Sequence, residues 1–402
     1  MPASPARHLV LACVLALGTA GCATRPSDLP PLTETQIRDA TGYPTRALGQ
    51  RPDAALPAGV SLNDGVTEDE ASAVALWNNA QLSADLATLG LAEAGIVEAG
   101  QLRNPSLQIL FPLGPKPFEL SLLFALEQLW QRPSRMAAAR RQWEQVAQSL
   151  VQNGLDTARN ARQVHANLLQ AQERAVAGRE LQQIRRRLAD MARARLEAGD
   201  ISALDVRLAE ADAAAADEQA TRFEHDLVVA HERLRVMLGL LPGQKLEAVP
   251  APVDRTQPAG ADVLRERAWG LRPDLRAVEL SVAAAAARAK WERSRWVALG
   301  ALLSSKEVGS SGVRTGPGLS ADIPVFKSNA GPVSRADAEV EQAARLYLAR
   351  RQQVDLEVTE AREALAQALD SLADWHDRVL PGLAGAVDKA RQAFEAGDVS
   401  YL

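Results

Sequence analysis

Glu197-Ala198-Gly199-Asp200-Ile201-Ser202-Ala203-Leu204 recurs, with two changes, as the last eight residues of the chain, Glu395-Ala396-Gly397-Asp398-Val399-Ser400-Tyr401-Leu402. The two copies share six of eight positions and lie 198 residues apart in a chain of 402. That spacing is an internal duplication with a repeat far longer than a solenoid unit. Each copy follows a long helical pattern, and the first is followed by another, so Gly199-Asp200 reads as the tip of a helical hairpin. Glycine takes the left-handed conformation that ends a helix, and Ser202 with Asp205 has the spacing of a capping box. Hairpin punctuation alone accounts for this much; a role for the tip depends on the rest of the chain.

The composition favours long packed helices over a compact enzyme core. Hydrophobic residues make up 47% of the chain but aromatics only 4%, and Ala, Leu and Val are interleaved with Arg, Glu and Gln. The 45 basic and 50 acidic side chains are mixed along the helices, which excludes the basic patch of a nucleic-acid binder. Both cysteines, Cys13 and Cys22, fall in the first 22 residues. Arg7 and an apolar run from Leu9 to Leu17 form a secretory signal, too short to span a bilayer. The run ends at Thr19-Ala20-Gly21-Cys22, which resembles a bacterial lipobox with Cys22 as the acylated first residue of the mature protein. Cleavage after Ala20 is the other reading. Acylation of Cys22 would anchor the N-terminus to a membrane and leave no free thiol.

Residues 1–21 are thus the signal, and 22–66 read as an extended leader rich in Pro, Asp and Thr. Thr67 and Glu70 form a capping box for a helix carrying Ala71, Val74, Leu82, Leu86 and Leu89, which ends near Arg103-Asn104-Pro105. Period-two alternation follows over Leu107–Leu113 and, after Gly114-Pro115, over Phe118–Leu126: a strand hairpin. One face is apolar, whereas Glu119, Ser121 and Glu127 lie on the other. Two strands cannot close a barrel in hydrocarbon, so further strands must complete it.

From Ser134 to Leu196 no proline intervenes, which predicts one helix roughly 95 Å long at about 1.5 Å per residue. Leu181, Ile184, Leu188 and Met191 form its expected coiled-coil seam. The chain returns through Leu204, Leu208, Ala211 and Ala215, with Ala213 to Ala216 allowing close helix approach, and stops at Leu238-Gly239 and Pro242-Gly243. The first repeat therefore covers 67–242, a Pro-rich linker 243–260, and the second repeat 261–402. The second begins with Trp269 in register with Trp77 and a helix to about Arg295. A strand from Val297, a loop over Gly309–Gly318 and a strand from Leu319 to Val325 follow. A long helix then starts at Ser334-Arg335, with a seam through Leu365, Leu372 and Trp375 and a break expected at Pro381-Gly382. It reaches the second tip with no returning helix, so that seam is expected to expose apolar surface.

Helix, strand hairpin and very long helical hairpin, twice over behind a lipobox, resembles the TolC-type outer-membrane efflux family. The marks are Asn104-Pro105-Ser106-Leu107, Arg272-Pro273-Asp274-Leu275, Ile323-Pro324-Val325-Phe326 and Leu380-Pro381 ahead of a Gly-Asp-x-Ser tip. The leader and Phe111-Pro112-Leu113-Gly114-Pro115 look like the branch serving heavy-metal pumps of the RND type. Ala80-Gln81-Leu82 departs from the family's Asn-Pro-x-Leu. The resemblance implies a mainly α fold with membrane β structure. A homotrimer would close one β-barrel in the lipid of the outer membrane, and its long helices would form a periplasmic α-barrel. On that analogy Gly199, Asp200, Ser202, Leu204 and Asp205, with Gly397, Asp398, Ser400 and Leu402, form the gated end facing a periplasmic adaptor and an inner-membrane pump. The function implied is a passive exit duct for substrates the pump delivers.

Acidic rings at the tip, from Asp200, Asp205 and Asp398, would favour cations; simple helix capping by Asp200 and Asp398 is the plainer role. A periplasmic coiled-coil lipoprotein with a tethering role and no pore is the alternative, and the alternating strands argue against it. No enzyme is expected: His165, His225, His231 and His376 form no i,i+4 pair, and there is no phosphate loop or nucleophile elbow. No cofactor or metal site is implied. Trp130 and Trp296 near strand ends fit an interfacial belt or ordinary packing.

Overall fold

A computed structural model describes residues 32–45, 56–111, 118–252, 254–308, 312–324 and 328–395. The leader is not wholly extended: Leu32–Thr41 forms helix α1, with Ile37 fully buried. The expected first helix is two, α2 (Glu68–Asn78) and α3 (Ala80–Gly100), because Asn79 takes an extended conformation. Thr67 and Glu70 make the capping box of α2. Strands β1 (Ser106–Leu110) and β2 (Glu119–Ala125) precede α4 (Glu127–Glu197), a helix of 71 residues, and α5 (Ala203–Met237) returns from it. The second half repeats this with α6 (Ala261–Leu271), α7 (Pro273–Arg293), β3 (Ala298–Glu307), β4 (Val313–Asp322) and α8 (Ala330–Asp374). A π-helical turn, Trp375–Val379, leads into α9 (Leu380–Glu395).

Several expected boundaries move, each for a local reason. The helix α4 starts before Pro133 rather than after it and carries that proline in its second turn, at the loss of one ladder bond. The single helix expected up to about Arg295 is broken at Arg272, which is extended because Pro273 follows it. The two breaks, at Asn79 and Arg272, align Leu82 with Leu275. Trp77 lies two residues before its break and Trp269 three, so the duplicated halves differ by one residue there. The loop expected up to Gly318 is shorter, since Gly316, Pro317 and Gly318 lie within β4. Pro317 is tolerated because β4 is an edge strand. The break expected at Pro381 is a widening just before it: Leu380 N–H bonds Trp375 O, five residues back. The ring of Pro381 obstructs the four-residue ladder, and the wider turn absorbs it.

The chain packs as two compact units, and each draws on both halves of the sequence. Among the described residues, one holds 32–40 with those of 81–151 and 279–344; the other holds those of 41–80, 152–278 and 345–395. The first unit carries the four strands, an antiparallel meander in the order β1-β2-β3-β4. The hairpins expected from the two halves thus join through β2 and β3.

In the second unit, Val66, Val74, Leu168, Leu234 and Leu238 form the centre of a core that also takes Leu246 and Ala248. Each such side chain stabilises by about 1.5–3 kcal/mol. Val66 of the leader bridges Ala248 of the linker, with Val66 N–H donating to Glu247 O at 2.8 Å and Val249 N–H to Val66 O at 3.0 Å. The buried His165 also donates from Nε2 to Val66 O, at 2.7 Å. Leader and linker are therefore strapped across the α4–α5 hairpin.

The seam inside that hairpin is not the expected one. Leu181, Ile184 and Met191 are 38, 53 and 46% exposed, and Leu204, Leu208, Ala211 and Ala215 are exposed as well. The buried stripe runs through Leu168, Ala171, Ala175, Ala189 and Ala192 on α4 and Val206, Ala213, Ala216, Ala220, Ala230 and Leu234 on α5. Both stripes keep three- and four-residue steps, but small side chains let the helices approach closely. A Cβ on Gly178 would lie 2.7 Å from the Phe223 ring. The larger residues that periodicity favoured form a second stripe, one residue back on α4, and it stays exposed within the chain. The expected α8 seam behaves likewise: Leu365, Leu372 and Trp375 are exposed.

Candidate functional site: the strand sheet and the hairpin tip

Residues directly opposite in an antiparallel pair share a face, so the register sorts the side chains of the sheet. Leu107 and Ile109 face Leu122 and Leu120; with Phe124 the same face continues across β3 and β4 through Leu303, Ala301, Leu319 and Leu299, and the Ser305–Thr315 hydroxyl pair, 3.0 Å apart, is its polar interruption. Leu107, Ile109, Leu303 and Leu319 on it are exposed. The other face carries Gln108, Glu119, Ser121, Ser304, Lys306, Arg314, Ser320 and Asp322. Glu119 and Lys306 sit opposite each other and pair at 2.6 Å, a cross-strand contact that suits this register. Leu123 and Leu302 on the polar face fill the space that glycine leaves: a Cβ on Gly300 would lie 2.8 Å from Leu123 Cδ1. An exposed apolar face, a polar face and two edge strands are what a piece of a membrane barrel requires. No described helix is long and apolar enough to cross a membrane.

At the first tip, Gly199 has φ +83°, Gly199 N–H donates to Leu196 O at 2.9 Å and Asp200 N–H to Arg195 O at 2.9 Å. These two bonds satisfy the last carbonyls of α4 in the Schellman pattern. Two residues later Ser202 caps α5: Asp205 N–H donates to Ser202 Oγ at 3.3 Å, and Ser202 N–H and Oγ–H donate to Asp205 Oδ2 at 3.0 and 2.8 Å. The Ser202 hydroxyl, then its backbone N–H, hold the Asp205 carboxyl below the usual range. The cap is thus Ser202 with Asp205, and the side chain of Asp200 is exposed, as is Leu204. Above the tip, Arg193–Glu210 at 3.0 Å, Arg185–Asp212 at 3.2 Å and Arg186–Asp217 at 2.8 Å cross between α4 and α5. All three are solvent-screened, so they set register more than stability. Gly397, Asp398, Ser400 and Leu402, like Cys22, lie outside the described residues.

Comparison with known proteins agrees with this geometry. The chain is 27% identical over 345 residues to the cobalt-zinc-cadmium resistance protein CzcC of Cupriavidus metallidurans, covering 84% of this chain and 82% of that protein. Among solved structures, the outer-membrane channel OprN aligns with a TM-score of 0.65 at 19% identity, over 95% of this chain and 86% of that one. The outer membrane protein VceC from Vibrio cholerae gives 0.66 at 16% identity, over 83% and 87%, and CusC gives 0.62 at 19%, over 89% and 90%. No family model matches. The chain shares the fold of these outer-membrane proteins. What is shared with them is the mainly helical fold with a small antiparallel sheet. Among the described residues no three His, Cys, Asp or Glu side chains gather as a metal site.

Sequence reasoning missed one constellation in the second unit. Asp274, just past the α6–α7 break, accepts from Arg272 at 3.0 and 2.7 Å and from Arg350 Nε at 3.0 Å, while Arg272 also pairs with Glu357 at 2.6 Å. Burial pushes the Asp274 carboxyl up, but the Arg272 and Arg350 hydrogen bonds outweigh it and hold it below its ordinary value. Beside it, Trp269 Nε1 donates to Asp355 at 2.8 Å and Arg351 stacks 4.1 Å from the Trp269 ring. Arg272-Pro273-Asp274 was legible as a motif. Its partners lie 76 or more residues away, beyond what any local pattern reports.

Proposed function

We propose that this protein is the outer-membrane exit duct of a tripartite efflux system, a passive conduit for substrates handed over by an inner-membrane pump through a periplasmic adaptor. The reading rests above all on the sheet: four strands with an exposed apolar face, a polar face and two edges that need partners. Three chains would supply them, giving a homotrimeric barrel whose polar face lines the duct. The two repeats, 67–242 and 261–402 with the linker 243–260, would each contribute one strand hairpin and one long helical element. Acylated Cys22 would add a lipid anchor at the same membrane. The likeness to a cobalt-zinc-cadmium resistance protein supports divalent metal cations as cargo, and an RND-type pump is the partner that the family resemblance implies.

The tips, Gly199 to Asp205 and Gly397 to Leu402, would form the gated, adaptor-facing end. With the Asp205 carboxylate engaged in its cap, the exposed Asp200 is the better candidate for a cation-selecting ring, together with Asp398. The test is planar-bilayer conductance of the purified full chain, expected as discrete cation-preferring channels. Asp200→Asn with Asp398→Asn should reduce the cation preference several-fold. Unchanged selectivity removes the gating role, and conductance never above bilayer background removes the duct.

A further inference from the structure

Arg103, Arg132 and Arg135 gather where α3 hands the chain to β1. Arg132 Nε donates to Gly100 O at 2.8 Å and Arg135 Nε to Ala99 O at 2.7 Å, with Arg135 Nη2 on Gln101 O, so they satisfy the last carbonyls of α3. These acceptors are neutral, and most of the five N–H donors on each guanidinium remain unspent. Burial, then the fields of Arg103 and Arg132, hold Arg135 below its ordinary value, with Glu98 opposing them. Positive charge is therefore concentrated here without a matching carboxylate in hydrogen-bond contact among the described residues. Arg135 also lines a groove of about 380 Å³, together with Ala99, Ala138, Ala284, Trp291, Arg288 and Glu339. Arg288 is already paired with Glu339, at 3.6 Å. Trp130 and Trp296, 40 and 68% exposed, flank the same helix-side ends of the strands.

We propose that Arg132 and Arg135 hold the phosphodiester of an anionic phospholipid at the mouth of the groove that Arg135 lines, with the first methylenes of an acyl chain against the groove's alanines. The inference rests on the outer-membrane reading, which puts the strand ends at a headgroup layer, where arginine and tryptophan belong. The groove's alanines distinguish a lipid from free phosphate: an inorganic anion would use the arginines and leave the alanines wet. Planar guanidinium forks match phosphate oxygens two at a time, so the fit is geometric as well as electrostatic.

Native mass spectrometry of the full chain in mild detergent, titrated separately with phosphatidylglycerol, phosphatidylcholine and inorganic phosphate, tests this. The wild type should retain phosphatidylglycerol about tenfold better than phosphatidylcholine. Arg132→Gln with Arg135→Gln should abolish that preference, and Arg185→Gln with Arg186→Gln, which removes equal charge outside the groove, should keep it. Equal retention of both lipids by the wild type overturns the proposal whatever the variants do. So does equal loss in both double variants, or displacement of the lipid by phosphate at comparable concentration. Channels that conduct but show no lipid preference sink this inference alone; absence of conductance sinks the duct.

Discussion

The α2–α3 bend and the α6–α7 bend have nearly the same backbone, with φ and ψ of −60° and 121° at Asn79 and −71° and 122° at Arg272. What holds them differs. Both return the bend residue's N–H one turn back, to Ala75 O and Ala268 O, but in the first the Asn79 side-chain amide donates to Met237 O at 3.0 Å and Gly239 approaches the Asn78 carbonyl closely. In the second, Pro273 imposes the bend on Arg272, and Arg272, Asp274, Arg350 and Glu357 tie it to α8. A duplicated backbone can therefore keep its shape while its support changes from neutral close packing to an ionic network. Ala80, which stands where the sequence resemblance led to the expectation of a proline, loses no bend, because Asn79 is extended without it and Gly239 packs closely behind.

Gly239→Ala should break the first bend with the largest effect. Its φ is +61° and a Cβ would lie 2.3 Å from Asn78 O, so left-handed strain and a backbone clash add to about 3 kcal/mol. Differential scanning calorimetry of the purified protein would read it as a clearly lowered midpoint. An unchanged midpoint would show that the bend does not depend on this close approach.

Asp274→Asn attacks the second bend and should cost about 2 kcal/mol at neutral pH, because two arginines lose a largely buried ionic acceptor. The sign with pH follows from the lowered carboxyl of Asp274. A depressed folded-state pKa stabilises fully above the unfolded value of about 3.9 and progressively less as pH falls through the folded one. The gap between wild type and variant should stay constant from pH 8 to about 5 and close below about 4. A gap that widens on acidification would contradict the assignment.

Ala80→Pro sharpens the comparison in the opposite direction. Asn79 already holds the extended conformation a following proline demands, and the first N–H of a helix has no intrahelical acceptor. The substitution should stabilise by about 0.5–1 kcal/mol, seen as a small rise in the same midpoint. A fall would mean that the two bends are not interchangeable.

The sequence alone determined the duplication, the strand hairpins, the long helices, the capping boxes at Thr67 and Ser202 and the Gly199 turn. All of these are written in residues within a few positions of one another, where period, caps and breakers act. Tertiary structure decided which helical stripe is buried. Periodicity marked Leu181, Ile184 and Met191 as readily as Ala189 and Ala192, and only the partner helix, close enough to need small side chains, selects between them. It likewise decided that Asn79 bends without a proline, that Pro317 sits on a sheet edge, and that Asp274 meets Arg350. Those outcomes depend on groups brought together from distant parts of the chain, and no local spacing encodes their distance.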